Sequence, residues 1–580
     1  MLEVQNLSCL ADAQETGVVA ALNEVAFTVK PGHLLRVVGA PDSGRDRLIR
    51  LLAGLERPDS GHLRLNGVEI ATRQWHPNHL ALVATAQGTL TSSLTVRETL
   101  MSAHFLRVGG RTVEERVDKV SHLLVGLGLE TVASSRVGQL GQAHRRRLNL
   151  ALALVADASL VLCDALTDDL DVISQQEIMA LLKYVSEDVP GRIVVQATQG
   201  LANLQASDSV LIMHEGYVCF HGPAKAVPHY FSINTVEELY PRLAQRPSER
   251  WGESWSRHRD QYYAAFKLVE GKPADTASKE TADEDGGDRA EESLKYQVDS
   301  ALPEPAALPS LTAQVLHLLR RRWTLWQRNR REWVEHLAMV MLAPLTVMLL
   351  VAPNTGYLSE LWSQNDSPEV QWPAAYTCSM LLLIQVLLIM IISLRSSVRE
   401  VAGERALFER EQTGGLRTSA YLVAKLGFLL PLMLGHGAAM VFLTEMTGGL
   451  LPGSGAVRLG LLVQTGVTFS CLCFGISAIC SNAERAQAHA WKLWAANVLL
   501  AGALLGFPRP LGAVIHPFVT SYYGWSACVD TLSGMAVFAP MSQFVRTWFA
   551  TPGEAAIALL FQGTAGVALA AYGLKRKRRR

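Results

Sequence analysis

One short stretch of the sequence, "GAPDSGRDRL" at residues 39–48, has glycines at the spacing of a phosphate-binding loop. Gly39 and Gly44 form a G-x-x-x-x-G skeleton, in which backbone N–H groups can cradle phosphate oxygens. Such a loop normally continues with a lysine that contacts the β- and γ-phosphates and a serine or threonine that binds Mg²⁺. Arg45 and Asp46 stand at those two positions. The skeleton alone is a weak signal, so its interpretation depends on the elements around it.

The elements around this stretch are those of an α/β domain. "HLLRVVG" is a short apolar strand that leads into the loop, and "DRLIRLLAGL" has helical spacing after it. This is the strand–loop–helix context that a phosphate-binding loop requires. "LVLCDAL" predicts a buried strand that ends at Asp164, and "RIVVQAT" and "SVLIMHEG" predict two more. Repeated alternation of strands and helices predicts a largely parallel sheet.

The composition of the whole chain indicates a soluble domain followed by a membrane domain. The chain has 580 residues, 49% of them hydrophobic, and most long apolar runs lie after residue 335. Its 53 basic and 53 acidic residues balance, which argues against nucleic acid as a partner. Residues 271–310 are largely acidic and poor in aliphatics, so we expect a linker there. Residues 311–334 mix Leu, Val and Trp with Arg, which predicts an amphipathic helix at the membrane surface.

The apolar runs predict six membrane spans. The predicted spans are residues 336–352, 374–394, 421–444, 459–480, 490–507 and 553–573. The loop after the first span has no Lys or Arg, whereas the loop after the second contains several Arg and the C-terminus reads "KRKRRR". The positive-inside rule therefore predicts an integral, multi-pass protein with both termini in the cytoplasm, in a plasma or inner membrane.

Further landmarks follow the loop in order: "LTVRETL", "RRRLNLALAL", "LVLCDALTDDLD" and "HEGYVCFHGPA". With these landmarks the soluble part resembles the nucleotide-binding domain of an ABC transporter. The whole chain resembles the G subfamily of half-transporters, which place that domain before a six-span membrane domain. "REVAGERALFEREQTGGL" is similar to the family's cytoplasmic segment after the second span.

The resemblance implies an α/β P-loop ABC nucleotide-binding domain plus an all-α six-helix transmembrane domain. It divides the chain into four parts: a nucleotide-binding domain at residues 1–240, an extension with the acidic linker at 241–310, the amphipathic helix at 311–334 and the membrane domain at 335–580. It also implies ATP and Mg²⁺ as cofactors and export of a lipid-like or other hydrophobic small molecule across the bilayer. The working unit would be a homodimer, or a heterodimer with another half-transporter.

The resemblance also assigns roles to residues of the nucleotide site. Nucleotide contacts fall on Gly39, Ser43, Gly44, Arg45, Asp46, Gln87 and Gly141. The family has a glutamine in the loop that Gln87 is assigned to, and a strict alignment would place Ala86 at that position instead of Gln87. Mg²⁺ contacts fall on Asp46 and Asp164.

Several of these positions depart from the family's pattern. Ala165 stands where the family has its catalytic glutamate, and Gln199 where it has the switch histidine. "LGQAH" replaces the L-S-G-G-Q signature. The carboxylates of Asp42 and Asp46 would repel phosphates, by about 4 kcal/mol for unit charges 4 Å apart at an effective dielectric constant near 20. We therefore expect weak or lost binding of ATP and Mg²⁺, and impaired hydrolysis.

Polar residues of the membrane half are candidates for coupling and for the transport pathway. The resemblance assigns contacts that couple the two domains to Glu400, Glu404, Arg405 and Glu411. An ordinary charged cytoplasmic helix would account for these residues equally well. Gln385 and Asn497 lie in spans that line the family's central cavity, although hydrogen bonding between helices is the commoner role. Lys425 and Lys492 lie near span ends and are expected to extend toward the interface.

Three functions remain open from the sequence. The first is a transport subunit with a degenerate nucleotide domain. The second is a non-transporting membrane scaffold or regulatory protein that keeps the fold for protein contacts. The third is an active ATP-driven exporter with substitute catalytic residues.

Overall fold

The computed structural model describes the chain as two compact units. The first unit is Met1–Pro309 with Thr413–Gly415, and the second is Ser310–Gln412 with Leu416–Arg580. The described residues are all of 1–580 except 11, 15–16, 20, 70–77, 84–88, 267–306, 352, 354–367, 447–450, 536–537, 546 and 577–580. The acidic segment predicted to be a linker lies almost entirely outside the described residues.

The strands of the first unit form three sheets. They are β1 (Leu2–Cys9), β2 (Asp12–Gln14), β3 (Gly17–Val19), β4 (Leu22–Val29), β5 (Leu34–Val38), β6 (Ser60–Leu65), β7 (Val68–Glu69), β8 (Leu80–Val83), β9 (Leu160–Asp164), β10 (Ile193–Thr198), β11 (Ser209–His214) and β12 (Tyr217–Gly222). The sheet orders are β12-β11-β5-β10-β9-β8, β4-β1-β6-β7 and β2-β3. In the six-stranded sheet β11 and β12 pair antiparallel and the other neighbours pair parallel.

The helices of the first unit pack on these sheets. They are α1 (Arg45–Leu52), α2 (Val96–Arg107), α3 (Val113–Gly126), α4 (Gln142–Leu154), α5 (Val172–Asp188), α6 (Val227–Phe231), α7 (Leu239–Leu243) and α8 (Ser248–Ala265). The predicted α/β fold with a largely parallel sheet is confirmed. Strand β5 is buried along its whole length, as expected of a parallel strand covered on both faces.

The parallel strands bring the landmarks of the sequence to one edge of the sheet. Strand β10 lies between β5 and β9, with Thr198 paired to Val38 and Ala197 paired to Asp164. Gly39 follows β5 directly, and Asp164 is the last residue of β9. Ligands of open α/β sheets bind at the carboxyl ends of the strands, which is where these residues lie.

The first unit continues beyond the boundary predicted at residue 240. Helix α8 places Trp251 and Trp255 in the same hydrophobic core as β12, and each is less than 5% exposed. The ring of Trp255 lies 5.3 Å from that of Phe220. The segment "SERWGESWSRHRDQYY" is mostly polar. It contributes aromatic side chains to the core, which a search for periodic aliphatic residues does not detect.

The described part of the second unit is helical. Its helices are α9 (Leu311–Arg328), α10 (Arg330–Val351), α11 (Pro368–Ser397), α12 (Arg405–Thr413), α13 (Thr418–Glu445), α14 (Gly455–Ile479), α15 (Ala483–Leu500), α16 (Arg509–Ile515), α17 (Thr520–Asp530), α18 (Phe538–Val545) and α19 (Pro552–Arg576). Five stretches are long and apolar enough to cross a membrane: Arg330–Val351, Gln371–Ser397, Thr418–Glu445, Gly455–Ile479 and Pro552–Arg576.

Two features of the second unit differ from the predictions. The predicted span 490–507 falls on α15, which begins with the polar "AERAQAHAWK", ends at Leu500 and is not among those five stretches of the described chain. The amphipathic helix predicted for 311–334 ends at Arg328. Asn329 leaves the helical conformation, and its side-chain oxygen accepts a hydrogen bond from the backbone N–H of Glu332 at 3.4 Å. That cap lets α10 begin at Arg330, five residues before the predicted start of the membrane domain at 335.

Candidate functional site

The two glycines of the phosphate-loop skeleton are required by the geometry of the first unit. A Cβ atom at Gly39 would lie 2.9 Å from the carbonyl oxygen of Met213. Gly44 has φ +85°, and a Cβ atom there would lie 2.7 Å from Cδ2 of Leu22. Only glycine fits such a position without strain. The backbone conformation of the loop therefore persists, and Gly44 caps the N-terminus of α1.

The arginine in the lysine position is held by the loop itself. Nη1 of Arg45 donates to the carbonyl oxygen of Gly39 at 3.1 Å, and Nε donates to Oδ1 of Asp46 at 3.0 Å. The side chain of Arg45 is 7% exposed, whereas that of Asp46 is 53% exposed. Ser43 is fully buried, and its backbone N–H donates to the carbonyl oxygen of Ala40 at 3.0 Å. The guanidinium thus already has two acceptors, and the group facing solvent is a carboxylate.

The second arginine of the stretch contributes no charge to the loop. Nε of Arg47 donates to Glu56 at 3.3 Å, and Nη1 donates to the carbonyl oxygen of Leu10. Arg47 is 9% exposed. The guanidinium of Arg47 is thus held by contacts away from the glycine skeleton of the loop.

Asp164 lies beside the loop, and its carboxyl group has a raised pKa. Burial and the carboxylate of Asp46 together raise its pKa to about 6, and Arg45 opposes the shift. A carboxyl group must be ionised to bind Mg²⁺, so binding of the ion would compete with the proton. Among the described residues, no group of three or more His, Cys, Asp or Glu side chains could hold a metal ion. The carboxylate of Asp46 is close enough to Asp164 to interact with it electrostatically.

The residue after Asp164 keeps an unusual backbone conformation. Ala165 has φ +48°, a region that few residues other than glycine occupy, and its N–H donates to the carbonyl oxygen of Ala197 at 3.0 Å. Strained positions of this kind are concentrated at functional sites. Residue 165 thus has a strained backbone of the kind found at functional sites, but its methyl group can neither accept nor donate a proton.

The loop after β10 is tied to the protein through its backbone. The hydroxyl of Tyr240 donates to the carbonyl oxygen of Gln199 at 2.6 Å. Arg36, only 2% exposed within β5, donates to the carbonyl oxygens of Ala202 at 2.7 Å and Gly200 at 3.1 Å. The side chain of Gln199 is exposed. Arg36 was visible in the sequence as a lone charge in an apolar strand, but its anchoring role follows only from the structure.

The remaining predicted nucleotide residues lie apart from this group. Gly141 is an exposed residue at the N-terminus of α4, with extended backbone, and a Cβ atom there would have no atom within 4 Å. Gln142 beside it is also exposed. Gln87 and Ala86 lie outside the described residues, so the choice between them stays open.

One residue that sequence reasoning left out belongs to the site. Asp168 accepts a hydrogen bond from the hydroxyl of Thr198 at 2.5 Å, and its charge contributes to the raised pKa of Asp164. It lies in the "TDDL" stretch, where the family pattern is lost, so no motif indicated it. Asp46, Asp164 and Asp168 together give this edge of the sheet a concentration of negative charge.

The predicted coupling residues of the second unit form buried ion pairs. Glu411 accepts two bonds from Arg321 of α9, at 2.5 Å and 3.0 Å. Glu400 pairs with Arg322 at 2.6 Å and with Lys425 at 2.5 Å, and Glu404 pairs with Lys425 at 2.6 Å. These contacts join α9, α13 and the segment between α11 and α12. A solvated charged helix is therefore the wrong description for these residues.

The electrostatics of the network favour the charged state. Burial opposes ionisation of Glu400, but the positive charges of Lys425 and Arg322 outweigh it and lower the pKa to about 2. The same balance with Arg321 lowers the pKa of Glu411. Lys425 is 7% exposed, so the expectation that it extends to the interface is wrong: two carboxylates within the protein hold it. Lys492 is exposed.

Arg405 connects the ends of two spans. Its Nη1 donates to the carbonyl oxygen of Ala478 at 2.8 Å, and its Nη2 to that of Gly573 at 3.4 Å. These carbonyls lie in the last turns of α14 and α19, where unpaired oxygens and the helix dipole favour a cation. Glu409 completes the contacts of Arg405 at 2.8 Å.

The two predicted cavity residues make contacts between helices. Nε2 of Gln385 donates to the hydroxyl of Thr444 at 3.4 Å, which links α11 to α13. Oδ1 of Asn497 accepts from the backbone N–H of Ser521 at 3.0 Å, and the hydroxyl of Ser521 donates to the carbonyl oxygen of Asn497 at 2.7 Å. Both residues are at most 1% exposed. Within one chain both residues therefore link neighbouring helices.

Two family profiles match this chain, one in each half. The ABC transporter profile matches residues 22–168, and the ABC-2 type transporter profile matches residues 313–509. The ABC transporter ATP-binding/permease protein Rv1747 of Mycobacterium tuberculosis is 24% identical over 494 residues, which are 83% of this chain and 52% of that protein. The methionine import ATP-binding protein MetN 2 of Burkholderia mallei is 32% identical over 216 residues, 36% of this chain and 53% of that protein.

A solved structure is similar to part of this chain. It is a dimeric ATP-binding cassette in a post-hydrolysis state, bound to ADP and Pi. The match has 22% sequence identity and a TM-score of 0.35, and it covers 38% of this chain and 98% of that chain. The chain spans about half the length of the curated relatives it matches.

Proposed function

This chain joins an ABC transporter domain to an ABC-2 type membrane domain, and on that basis we propose that it is a transporter subunit whose own nucleotide site does not hydrolyse ATP. An ABC domain implies a site for ATP and Mg²⁺. The observation that carries the proposal is the contrast at that site: the backbone of the phosphate loop persists, while the side chains needed for chemistry are absent or already bonded.

Loss of hydrolysis follows from Ala165 and Gln199. Activation of the attacking water requires a group that accepts its proton or holds it in place, typically within about 3.2 Å. The methyl of Ala165 cannot do this, although its backbone keeps φ +48°. Gln199 has no group that titrates near neutral pH, unlike the histidine it replaces. Two independent losses make a compensating rearrangement difficult.

Weak nucleotide binding follows from the charges around the loop. Arg45 donates to Gly39 and Asp46, so contact with phosphate would first require that these bonds be given up. Asp46 presents a carboxylate at 53% exposure where phosphate would lie. The raised pKa of Asp164 further weakens any contact with Mg²⁺. We therefore propose that ATP binds weakly or not at all.

A transport role, rather than a scaffold role, is supported by the ion pairs of the membrane unit. Buried ion pairs are weak contributors to stability, because desolvation offsets their attraction. Glu400, Lys425 and Arg322 would thus be a poor choice for a purely structural core. We propose that they couple movements of α9 and α13 to the conformation of the spans, and that the transported compound is lipid-like or otherwise hydrophobic.

We further propose that the chain works with an intact half-transporter as its partner, and that both termini lie in the cytoplasm. Two copies of this chain would lack the catalytic groups at both nucleotide sites of the dimer. A partner could supply an intact phosphate loop and glutamate to one of the two sites, while this chain would contribute its own spans to the pathway.

The test is lipid flux in proteoliposomes. The tagged chain is purified from its native membranes, the half-transporter that accompanies it is identified, and the pair is reconstituted with an NBD-labelled phospholipid. We expect ATP-dependent flux from the pair, little from this chain alone, and a loss of at least about tenfold in Glu400→Gln. The matched control is Glu253→Gln, an exposed residue of the first unit, which should leave the flux unchanged. Flux that is indifferent to Glu400→Gln, or to removal of this chain, would support the scaffold function instead.

A further inference from the structure

The first of the five membrane-length stretches, α10, begins with charged side chains that are open to the surroundings. Arg330 is exposed, and the side chain of Arg331 is 88% exposed. Glu335 pairs with Arg331 at 3.1 Å and with Arg395, at the end of α11, at 3.2 Å. We call Arg330, Arg331 and Arg395 the arginine cluster. Because three guanidinium groups surround a single carboxylate, this surface carries a net positive charge of two.

The same face of α10 is apolar beyond its first turn. Positions 330, 334 and 337 follow the spacing of one helix face, and Val334 and Leu337 are 56% and 46% exposed. The opposite side of the helix, with His336, is buried in the protein. Trp333 is 46% exposed beside the arginine cluster, as tryptophans are at the level of lipid head groups. The exposed apolar face continues with Met341, Leu342, Leu345 and Leu349. A helix of this length with such a face is directed toward lipid, and the arginine cluster lies where that face begins.

The other carboxylate at the start of α10 is directed into the protein. Glu332 pairs with Arg322 of α9 and accepts a hydrogen bond from the side-chain amide of Asn329 at 3.3 Å. Arg322 in turn pairs with Glu400 at 2.6 Å. Glu332 is thus matched by a cation inside the protein, and the arginine cluster keeps its excess of positive charge.

We propose that the arginine cluster binds the head group of an anionic phospholipid, with the phosphate at the guanidinium groups and the acyl chains along the apolar face of α10. A guanidinium offers phosphate two parallel N–H donors, and basic sites between spans recognise anionic head groups. A free anion would use the charge but not the apolar face, and a neutral lipid would use the face but not the charge. An anionic lipid satisfies both.

The site is independent of ATP and of transport. Its assignment to the cytoplasmic leaflet rests on the proposed orientation of the termini, because α10 would then begin on the cytoplasmic side. Anionic lipids give that leaflet its negative surface potential, which attracts basic residues next to a span.

Scintillation-proximity binding to the tagged full chain in neutral detergent micelles tests this site. The probe is tritiated phosphatidylglycerol, and the competitors are unlabelled phosphatidylglycerol and phosphatidylcholine with the same acyl chains. We expect phosphatidylglycerol to displace the probe at a concentration at least about tenfold lower than phosphatidylcholine. This preference should shrink as the ionic strength rises, because exposed charges are screened by salt.

Two variants change the charge of the surface in opposite directions. Arg330→Gln combined with Arg331→Gln should reduce the preference to about twofold or less. Glu335→Gln removes the carboxylate from the surface and should tighten the binding of phosphatidylglycerol at least about threefold, a gain that misfolding cannot imitate. The matched control is Arg485→Gln, which removes an exposed arginine from the start of α15 and should leave the preference unchanged.

The outcomes separate a lipid site from its alternatives. Equal affinity for the two lipids, an unchanged preference in the double variant, or weaker binding in Glu335→Gln would overturn the proposal. A loss in Arg485→Gln as large as in the double variant would overturn the location of the site. Inorganic phosphate that releases the probe better than chloride at the same ionic strength would assign the arginine cluster to a free anion instead.

The site and the proposed function fail separately. If phosphatidylglycerol binds as expected but the reconstituted pair shows no flux, the transport function is overturned while the lipid site stands. If the pair shows flux but the two lipids bind equally, the lipid site is overturned and the transport function stands.

Discussion

Asp46 is the residue at which the site departs furthest from phosphate binding. It follows the arginine that replaces the loop lysine, it is half exposed, and it raises the pKa of Asp164. Because it accepts a bond from Nε of Arg45, it also occupies the cation that could have offset its charge. We therefore propose that this one side chain weakens the binding of both ATP and Mg²⁺.

The first prediction concerns the charge of Asp46. Asp46→Thr removes the carboxylate, frees Arg45 and adds a hydroxyl that can contact Mg²⁺. We expect ATP to bind at least tenfold more tightly, which corresponds to about 1.4 kcal/mol. Isothermal titration calorimetry of the full chain in detergent measures this change. Asp118→Asn, which removes an exposed carboxylate from α3, is the matched control. Equal affinities for the wild type and Asp46→Thr would show that this carboxylate is not what weakens binding.

The second prediction concerns the pH dependence of stability at Asp164. Its pKa is raised from 3.8 to about 6, mainly by burial, so the folded state holds a proton that the unfolded state releases between those values. Stability must therefore fall as the pH rises from about 4 through 6. Asp164→Asn removes this dependence and should stabilise the first unit by about 1 to 2 kcal/mol at pH 7.5, after allowance for partial exposure. The measurement is the difference in Tm between variant and wild type from pH 4.5 to 7.5. A difference that does not change with pH would contradict the assigned cause.

The third prediction separates two reasons for glycine in the loop. Gly44 combines φ +85° with a Cβ position 2.7 Å from Leu22, whereas Gly67 has φ +77° and open space. Gly67→Ala should cost about 1 to 2 kcal/mol, the strain of the left-handed conformation. Gly44→Ala should cost clearly more, because it adds a steric overlap. Equal losses in thermal unfolding would mean that Leu22 moves aside without cost.

At the scale of elements, the strands near the site followed from local pattern. The apolar runs before Gly39 and up to Asp164 are short and bounded by polar residues, and both appear as β5 and β9. The packing of helix α8 in the core could not be predicted from the local pattern, because its buried tryptophans stand among charged residues. The partners of Glu400 and Glu411 could not be predicted either, since they lie 78 and 90 residues away in the chain. Long-range pairing depends on how helices pack, which a local pattern does not specify.

The fourth prediction concerns the pairing of α9 with α12. Arg321 and Glu411 are 11% and 10% exposed, so Glu411→Gln leaves a buried, uncompensated guanidinium. We expect a loss of about 3 to 5 kcal/mol in stability. The double variant Arg321→Met with Glu411→Leu should recover most of it, because it removes both charges. Thermal unfolding in detergent reports these changes.

An exposed pair provides the comparison for that experiment. Arg257 and Glu253 are 74% and 66% exposed, so Glu253→Gln should cost about 0.5 kcal/mol or less. If Glu411→Gln costs no more than this, the ion pair between α9 and α12 does not form as described.

At the scale of the whole molecule, the two units retain different features of a transporter. The first unit retains the sheet, the loop conformation and the strained backbone at Ala165, but not the side chains of an ATPase. The second unit retains buried ion pairs, whose maintenance costs desolvation and which therefore point to a role beyond folding. We account for both by a subunit that moves with its partner and does not supply the energy.

Vanadate-sensitive ATP hydrolysis by the purified full chain in nanodiscs decides whether this chain is an ATPase. The comparison is the wild type against Arg45→Ala, with Arg57→Ala, an exposed arginine outside the loop, as the control. We predict that all three proteins turn over ATP at the same background rate, because no catalytic group is present at residue 165. Robust turnover by the wild type that is lost in Arg45→Ala and kept in Arg57→Ala would contradict this, and would identify this chain as an active ATPase with substitute residues.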